Sequence, residues 1–383
     1  MNLSDYFQKV EIEKLNFNKE DLKNKYAFLN IDKEYTDNSL SIYQIAIFAI
    51  PEQRNSKNKG TSKAPDKIRE QLYSLNYSGK LKIVDLGNLL PGKSVNDTYS
   101  AVSDIVSTLL KNNVIPIILG GSQDLTVAIY DAYCKQNRSV SLVCIDPKFD
   151  IGYQKNDFNS ESFLSQIILN KGKNLYNYTN LGYQAFYCNK DELKLINKLN
   201  FDAYRLGQIR SNIEDIEPVM RDADMISIDI RSVKQSDAPA HQFPSPNGFY
   251  SEEICQLSRY AGLSDRVSSF GIFDLNPKFD LNEITSGLAA QIIWYFIDGV
   301  NSRQSDFPKE NSREYTKHIV SFEKSDQNIV FYQNNFNKRW WMEVSFQKNP
   351  KNNKIIACTF SDYKTACNQE LPDRWLKTIQ RLS

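Results

Sequence analysis

Short apolar runs alternate with longer amphipathic stretches over most of the chain, a pattern that predicts a parallel sheet with helices on both faces. Tyr43 to Ile50, YQIAIFAI, reads as a buried strand, and the polar PEQRNSKNKG after it as a loop. Ala64 to Leu75 sets Ile68, Leu72 and Leu75 at helical spacing behind Pro65, which sits near the helix start where its missing N–H costs nothing. A strand over Lys82 to Leu89 and a helix over Thr98 to Lys111 follow. Val114 to Gly121, VIPIILGG, is a strand that ends in two glycines, and a helix runs from Leu125 to Lys135. Ser141 to Gly152 is a strand that breaks at Asp146. Helices over Glu161 to Lys171 and Asp191 to Leu199 flank a strand at Asn180 to Cys188. Apolar runs at Met225 to Ile230 and Ser268 to Pro277, then a long apolar helix from Leu281 to Asp298, complete the pattern.

The two ends differ from this middle. Residues 1–42 are charged and Asn-rich, with scattered apolar positions from Tyr6 to Phe17, and predict an arm with one or two short helices. Residues 43–300 form the α/β domain. Beyond Gly299 a polar linker leads to aromatic strand-like runs at Asn328 to Tyr332, Lys338 to Phe346 and Lys354 to Phe360, separated by NNFN and QKNPKNN turns. With a helix over Asp373 to Leu382, residues 301–383 predict a small β-meander closed by a helix. Trp340 and Trp341 are adjacent, so at least one faces the core; the other is open to a protein-binding role.

Charge and cysteine content narrow the function classes. The 383 residues carry 47 Lys and Arg against 46 Asp and Glu, a formal net charge of +1, which gives no electrostatic reason to expect nucleic acid or an anionic membrane. No apolar run approaches the roughly 20 residues that span a bilayer, and the N-terminus lacks the basic head and apolar core of a secretory signal. The six cysteines are widely spaced, without a CxxC pair, and are expected to be buried and reduced. A cytoplasmic protein is the expectation.

The chemistry concentrates where strands end. In open parallel sheets ligands bind beyond the carboxyl ends of the strands. Met225 to Ile230 delivers Asp229 and Arg231 to such an end, and at strand spacing their side chains would share one face. Four motifs occur in order: Gly120-Gly121-Ser122-Gln123-Asp124; Asp146-Pro147-Lys148-Phe149-Asp150; Ser227, Asp229 and Arg231, with Ala238-Pro239 beyond; and Asp274-Leu275-Asn276-Pro277. Together with the AP-x-x-IR-x-x-L helix, this order resembles the ureohydrolase family of arginases, agmatinases and formimidoylglutamases over residues 43–300. NLYNYTNLGYQ, Asn174 to Gln184, is most similar to formimidoylglutamases.

The resemblance implies a three-layer arginase-like fold, a homo-oligomer, and two Mn2+ ions that activate water for C–N hydrolysis. Residue by residue, the family's six metal-ligand positions fall on Gln123, Asp146, Lys148, Asp150, Asp229 and Arg231. Three aspartates are kept; both histidines and one carboxylate are replaced, two of them by cations. A protonated lysine or an arginine has no lone pair to give a metal. Unit charges about 4 Å apart interact by about 4 kcal/mol at an effective dielectric near 20, so two fixed cations would oppose a dication strongly. The expectation is a chain without cofactor. Lys148 and Arg231 would stand in as counter-ions in a buried cluster with Asp146, Asp150 and Asp229, and breaking such a cluster costs about 3–5 kcal/mol. The alternative for the aspartates is a single residual metal with Gln123.

Other residues fill in the pocket. Asp274, where the family holds the substrate's cationic group, is an acid one methylene shorter, and with His241 and Ser122 it would line a pocket for a cationic small molecule. His241 would otherwise be a loop-packing residue. Three functions follow from the resemblance and its departures: a catalytically inactive homologue acting as a binding or scaffold protein with an unnamed protein partner, a formimidoylglutamase-like hydrolase of linear amidines, and a small-molecule sensor.

Overall fold

The structure is a computed structural model and describes residues 3–15, 29–30, 40–152, 158–171, 174–309, 313–323, 328–345 and 354–382. Phe17, Phe346 and the QKNPKNN turn lie outside these. Ten strands form one sheet: β1 (Phe7–Gln8), β2 (Leu29–Asn30), β3 (Ile45–Ile50), β4 (Ile83–Leu89), β5 (Ile115–Gly120), β6 (Val140–Ile145), β7 (Leu175–Tyr183), β8 (Asp202–Arg205), β9 (Met225–Asp229) and β10 (Ser269–Phe273). Their order is β1-β4-β3-β5-β10-β9-β6-β7-β8, with β2 also beside β4, and every pair is parallel except β1 with β4.

Alternation along each strand builds a core on each face. Ile45, Ile47 and Ala49 point into one cluster and Ala46, Phe48 and Ile50 into the other. The first face is covered by α1 (Ala64–Leu72), and further along the chain by Leu206–Ser211, Glu217–Arg221, Ser251–Gly262 and Ile284–Asn301; the second by α2 (Val95–Lys111), α3 (Thr126–Lys135), α4 (Phe163–Lys171) and α5 (Lys190–Lys198). This is the three-layer arrangement the sequence predicts.

Several elements differ from their sequence reading. Glu161 precedes α4 instead of opening it. The strand expected at Asn180 to Cys188 begins earlier, at Leu175, and ends at Tyr183, next to Gly182 with its φ of +96°. The polar start of that strand, LYNYTN, hides its strand character from a hydrophobicity reading. Helix Ser251–Gly262, not anticipated, is held at its start by the Glu253 carboxylate, which accepts the Tyr250 backbone N–H at 2.8 Å. Of the six cysteines, which form no disulfide, only Cys144, Cys255 and Cys358 are buried, and Cys367 is exposed.

The C-terminal part is a four-stranded antiparallel sheet, β11 (Tyr315–Ser321), β12 (Asn328–Asn334), β13 (Trp340–Val344) and β14 (Lys354–Cys358), followed by helices Phe360–Cys367 and Asp373–Leu382. Strand β11 falls where the sequence reads partly as linker, because only Val320 of its seven residues is buried. Both tryptophans are used internally. Trp340 stacks in the small core near Tyr363, and Trp341 lies under the Arg221 guanidinium of the large domain, 4.3 Å from ring centroid to carbon. Neither is free for a partner. Ala357 N–H donates to Asp222 at 3.0 Å, and Arg339 pairs with Glu217 at 3.1 Å. These contacts precede β9, so the extension docks at the amino ends of the strands. Among the described residues no helix is long and apolar enough to cross a membrane.

Candidate functional site

Four neighbouring strands, β5, β10, β9 and β6, end side by side and carry the four motifs at their carboxyl ends. Each turn is shaped locally. Gly121 packs against the backbone of Glu52, where an added Cβ would meet the Glu52 carbonyl oxygen at 1.8 Å. Such close approach admits glycine alone. Gly60 in the following loop, at φ +129°, is pressed by the Asn276 side chain in the same way. Asn276 donates to Asn58 and to the Lys59 carbonyl, and Asn58 donates to the Asp274 carbonyl at 2.6 Å. The loop after β3 therefore clamps the turn after β10; the sequence placed Asp274 and Asn276 in a motif but gave Asn58 no part.

Strand β9 stops at Asp229. The Asp229 carboxylate accepts the backbone N–H of Arg231 at 2.7 Å and turns the chain into a short 3-10 segment, Ile230–Ser232. The two side chains thus meet around a capped turn, not on one strand face as their spacing predicts. Arg231 Nη2 lies 3.2 Å from Asp229 and Nη1 3.7 Å from Glu161, while Nε has no hydrogen-bond partner among the described residues. Burial disfavours the guanidinium charge, but Asp229, Asp146, Asp150 and Asp274 outweigh it and raise its pKa.

Asp146 accepts the Lys148 backbone N–H at 2.8 Å through Oδ1, while its Oδ2 and Asp150 Oδ1 are buried without a hydrogen bond among the described residues. Burial, then the neighbouring Asp150 and Asp229 charges, push Asp146 well above the usual carboxylate range, and burial pushes Asp150 up to about 6 against the pull of Arg231. Asp150 holds a left-handed backbone, φ +48°.

Lys148 does not join the aspartates. Its ammonium pairs with Glu161 at 3.0 Å and lies over the Tyr187 ring, and about a quarter of the side chain is exposed (28%). The expected five-membered buried cluster is therefore corrected to Arg231 with the aspartates, and Lys148 with Glu161 and Lys57 at its edge. Burial raises the Glu161 pKa, but hydrogen bonds from Lys57 and Lys148 win and hold it down to about 2. Glu161, eleven residues beyond Asp150 in a polar stretch, carries no signal in the sequence.

Gln123 also turns away. Its amide donates to Ser227 at 3.3 Å and its backbone N–H to Asp274 at 3.0 Å. Asp274 is held by that bond and by Ser56 at 3.2 Å, and burial followed by Asp229 pushes its pKa well up. Ser122 is fully buried against Asp124, away from the cavity. His241 does line the cavity; its Nδ1 accepts the Phe243 N–H at 2.9 Å, and burial lowers its pKa to about 4. It is a neutral, loop-ordering imidazole at pH 7.

The space between Asp150, Glu161, Asp229, Arg231, His241 and Asp274 amounts to about 20 Å³. A cavity needs about 10–15 Å³ to hold one water, so the site has room for about a single water molecule.

A doubly covered parallel α/β domain with a carboxylate-rich site at the ends of its central strands is thus defined. A family model described as the arginase family matches residues 43–298. The chain belongs to the arginase family. It is 25% identical over 267 residues to a formimidoylglutamase of Clostridium tetani, covering 65% of this chain and 79% of that protein. With the formimidoylglutamase of Bacillus subtilis it shares 24% over 280 residues, 67% of this chain and 86% of the relative. Its fold is similar to Trypanosoma cruzi formiminoglutamase with Mn2+ (TM-score 0.63, 18% identity, 71% of this chain and 97% of that one). The Bacillus subtilis structure gives a TM-score of 0.62 at 20% identity, covering 72% of this chain and 96% of that one.

Proposed function

We propose that this chain is a catalytically inactive member of the arginase family that acts by binding, as a scaffold for a protein partner or for further copies of itself. The observation that carries the reading is the Arg231 guanidinium, ion-paired to Asp229 inside the carboxylate group and leaving about 20 Å³ beside it. Asp229 already accepts the Arg231 backbone N–H and is ion-paired to its guanidinium. Gln123 is turned to Ser227 and Lys148 to Glu161. Among the described residues no group of three or more His, Cys, Asp or Glu is arranged to hold a metal ion. The residues present do not fit the two Mn2+ ions that the resemblance implies. The same small cavity argues against a sensor that uses this pocket.

The relatives favour a second reading. Those reported above carry the name formimidoylglutamase, and a formimidoylglutamase-like hydrolase of linear amidines is the activity they would suggest for this chain. The two readings separate in a turnover assay with N-formimino-L-glutamate, agmatine and arginine, each with and without added Mn2+. The proposal expects product release no faster than the protein-free control. Mn2+-dependent release from any of the three would replace it with the hydrolase reading.

A further inference from the structure

A larger cavity lies at the other end of the sheet, where the C-terminal extension meets the family domain. Its volume is about 310 Å³, at the lower edge of the roughly 300–1,000 Å³ typical of small-molecule sites. One wall is the sheet face of β6, β7 and β8, where Ser141, Asn177, Thr179 and Asp202 stand among Val143 and Tyr204. A sheet face covered only for stability would present fewer polar side chains there. The opposite wall is the extension: Lys354 on β14, and Arg374, Lys377 and Arg381 on the last helix.

The carboxylates around this cavity are already engaged. Asp202 pairs with Lys377 at 2.8 Å and with Arg381, and accepts from Asn177 at 3.0 Å. Asp362 caps its helix through the Thr359 N–H at 2.8 Å and hydroxyl at 2.9 Å. Asp222 takes the Ala357 N–H at 3.0 Å and faces Arg266 at 4.0 Å. Asp373 is exposed on the rim. Two cations are met by these carboxylates only loosely. Arg374 lies 3.6 Å from Asp362, its Nε is buried without a hydrogen bond, and its guanidinium donates to no protein group among the described residues. Lys354 has no carboxylate within ion-pair distance among the described residues; its ammonium rests 3.1 Å above the centroid of the Tyr176 ring.

We propose that this junction cavity binds a small molecule bearing an oxyanion, carboxylate or phosphate, which pairs with Lys354 and Arg374 while Asn177 and Thr179 offer neutral hydrogen-bonding groups. A cation–π contact substitutes only partly for an anion, and a guanidinium in a fixed fork matches a planar or tetrahedral oxyanion. The state of the lysine agrees with this. Burial, and then the nearby Arg266 charge, lower its pKa to about 8 against the pull of Asp222 and Asp224. Half the site comes from the extension, so it is distinct from the carboxyl-end site and independent of what that site does.

The test is isothermal titration of the full chain with sodium phosphate and, separately, sodium citrate, against sodium chloride at matched ionic strength. The expected result is saturable binding of at least one probe at one per chain, weakened about tenfold or more in Lys354→Met and in Arg374→Gln. Which probe binds distinguishes phosphate from carboxylate ligands. No saturable binding of either, or variants that bind as tightly as the parent, would overturn the proposal. Should neither variant fold, crystals of the unaltered chain soaked in sodium tungstate decide the matter: anomalous density inside the cavity supports it, and density elsewhere or none rejects it.

Discussion

Arg69 and Arg231 are both buried arginines paired to aspartates within one domain, yet their surroundings differ in kind. Arg69 meets Asp85 in a two-pronged pair, Nε to Oδ2 at 2.9 Å and Nη2 to Oδ1 at 3.0 Å. Its remaining donors reach the Gly87 carbonyl at 3.0 Å, Asn88 and Asp66, and Tyr73 adds a hydroxyl to Asp85. Every charge there has its answer. Arg231 instead bridges two carboxylates at 3.2 and 3.7 Å, its Nε without a hydrogen-bond partner among the described residues, and three further aspartates crowd it. The first arrangement is what a structural ion pair needs when it leaves water. The second is a carboxylate-rich site into which a single guanidinium has been set, with negative charge still in excess. The contrast is between a fully satisfied ion pair at Arg69 and a carboxylate group that one guanidinium leaves only partly answered at Arg231.

Four substitutions test that contrast. Arg69→Ala leaves Asp85 charged and unpaired in the core, and should lower unfolding free energy by about 3–5 kcal/mol, read from denaturant melts. Arg231→Ala should cost less, about 2 kcal/mol, because the aspartates can take up protons when their cation is lost. Its cost should therefore be larger at pH 8 than at pH 5, whereas that of Arg69→Ala should change little; equal pH dependence would erase the distinction.

Asp150 provides a prediction of opposite sign. Its folded pKa of about 6 lies above the unfolded value, so the folded state binds the extra proton. Its contribution is complete below about pH 4 and is lost as pH rises through about 6. Asp150→Asn keeps the left-handed backbone, which asparagine tolerates, and removes that charge. The variant should be more stable than the parent at pH 7 by about 1–2 kcal/mol. A destabilised Asp150→Asn would mean that the carboxylate is needed in its charged form. The smallest effect belongs to Lys148→Met: a partly exposed pair with Glu161 should contribute less than about 1 kcal/mol. A loss several times larger would restore Lys148 to the buried cluster expected from the sequence.

Much of the frame was legible in the sequence because buried parallel strands are apolar on both faces, as in β3, β5 and β6. The motifs located the site for the same reason, since each follows such a strand. What escaped is contributed by polar contacts between distant segments. Glu161 meets Arg231 from a distant part of the chain, and Asn58 meets Asn276 across more than two hundred residues. Strand β7 was misplaced because Asn177 and Thr179 face the junction cavity, and a hydrophobicity pattern reads such a strand as loop. Helix Phe360–Cys367 did carry a readable mark, the Thr359–Asp362 capping box.

Manganese content tests the central claim most directly. The purified chain is equilibrated with excess Mn2+, freed of unbound metal and measured for metal per chain, beside a variant with Gln123→His, Lys148→His and Arg231→Asp. The account predicts no stoichiometric manganese in the parent, and metal retained by the triple variant if it folds. One or two Mn2+ per parent chain would contradict it and return the site to hydrolysis.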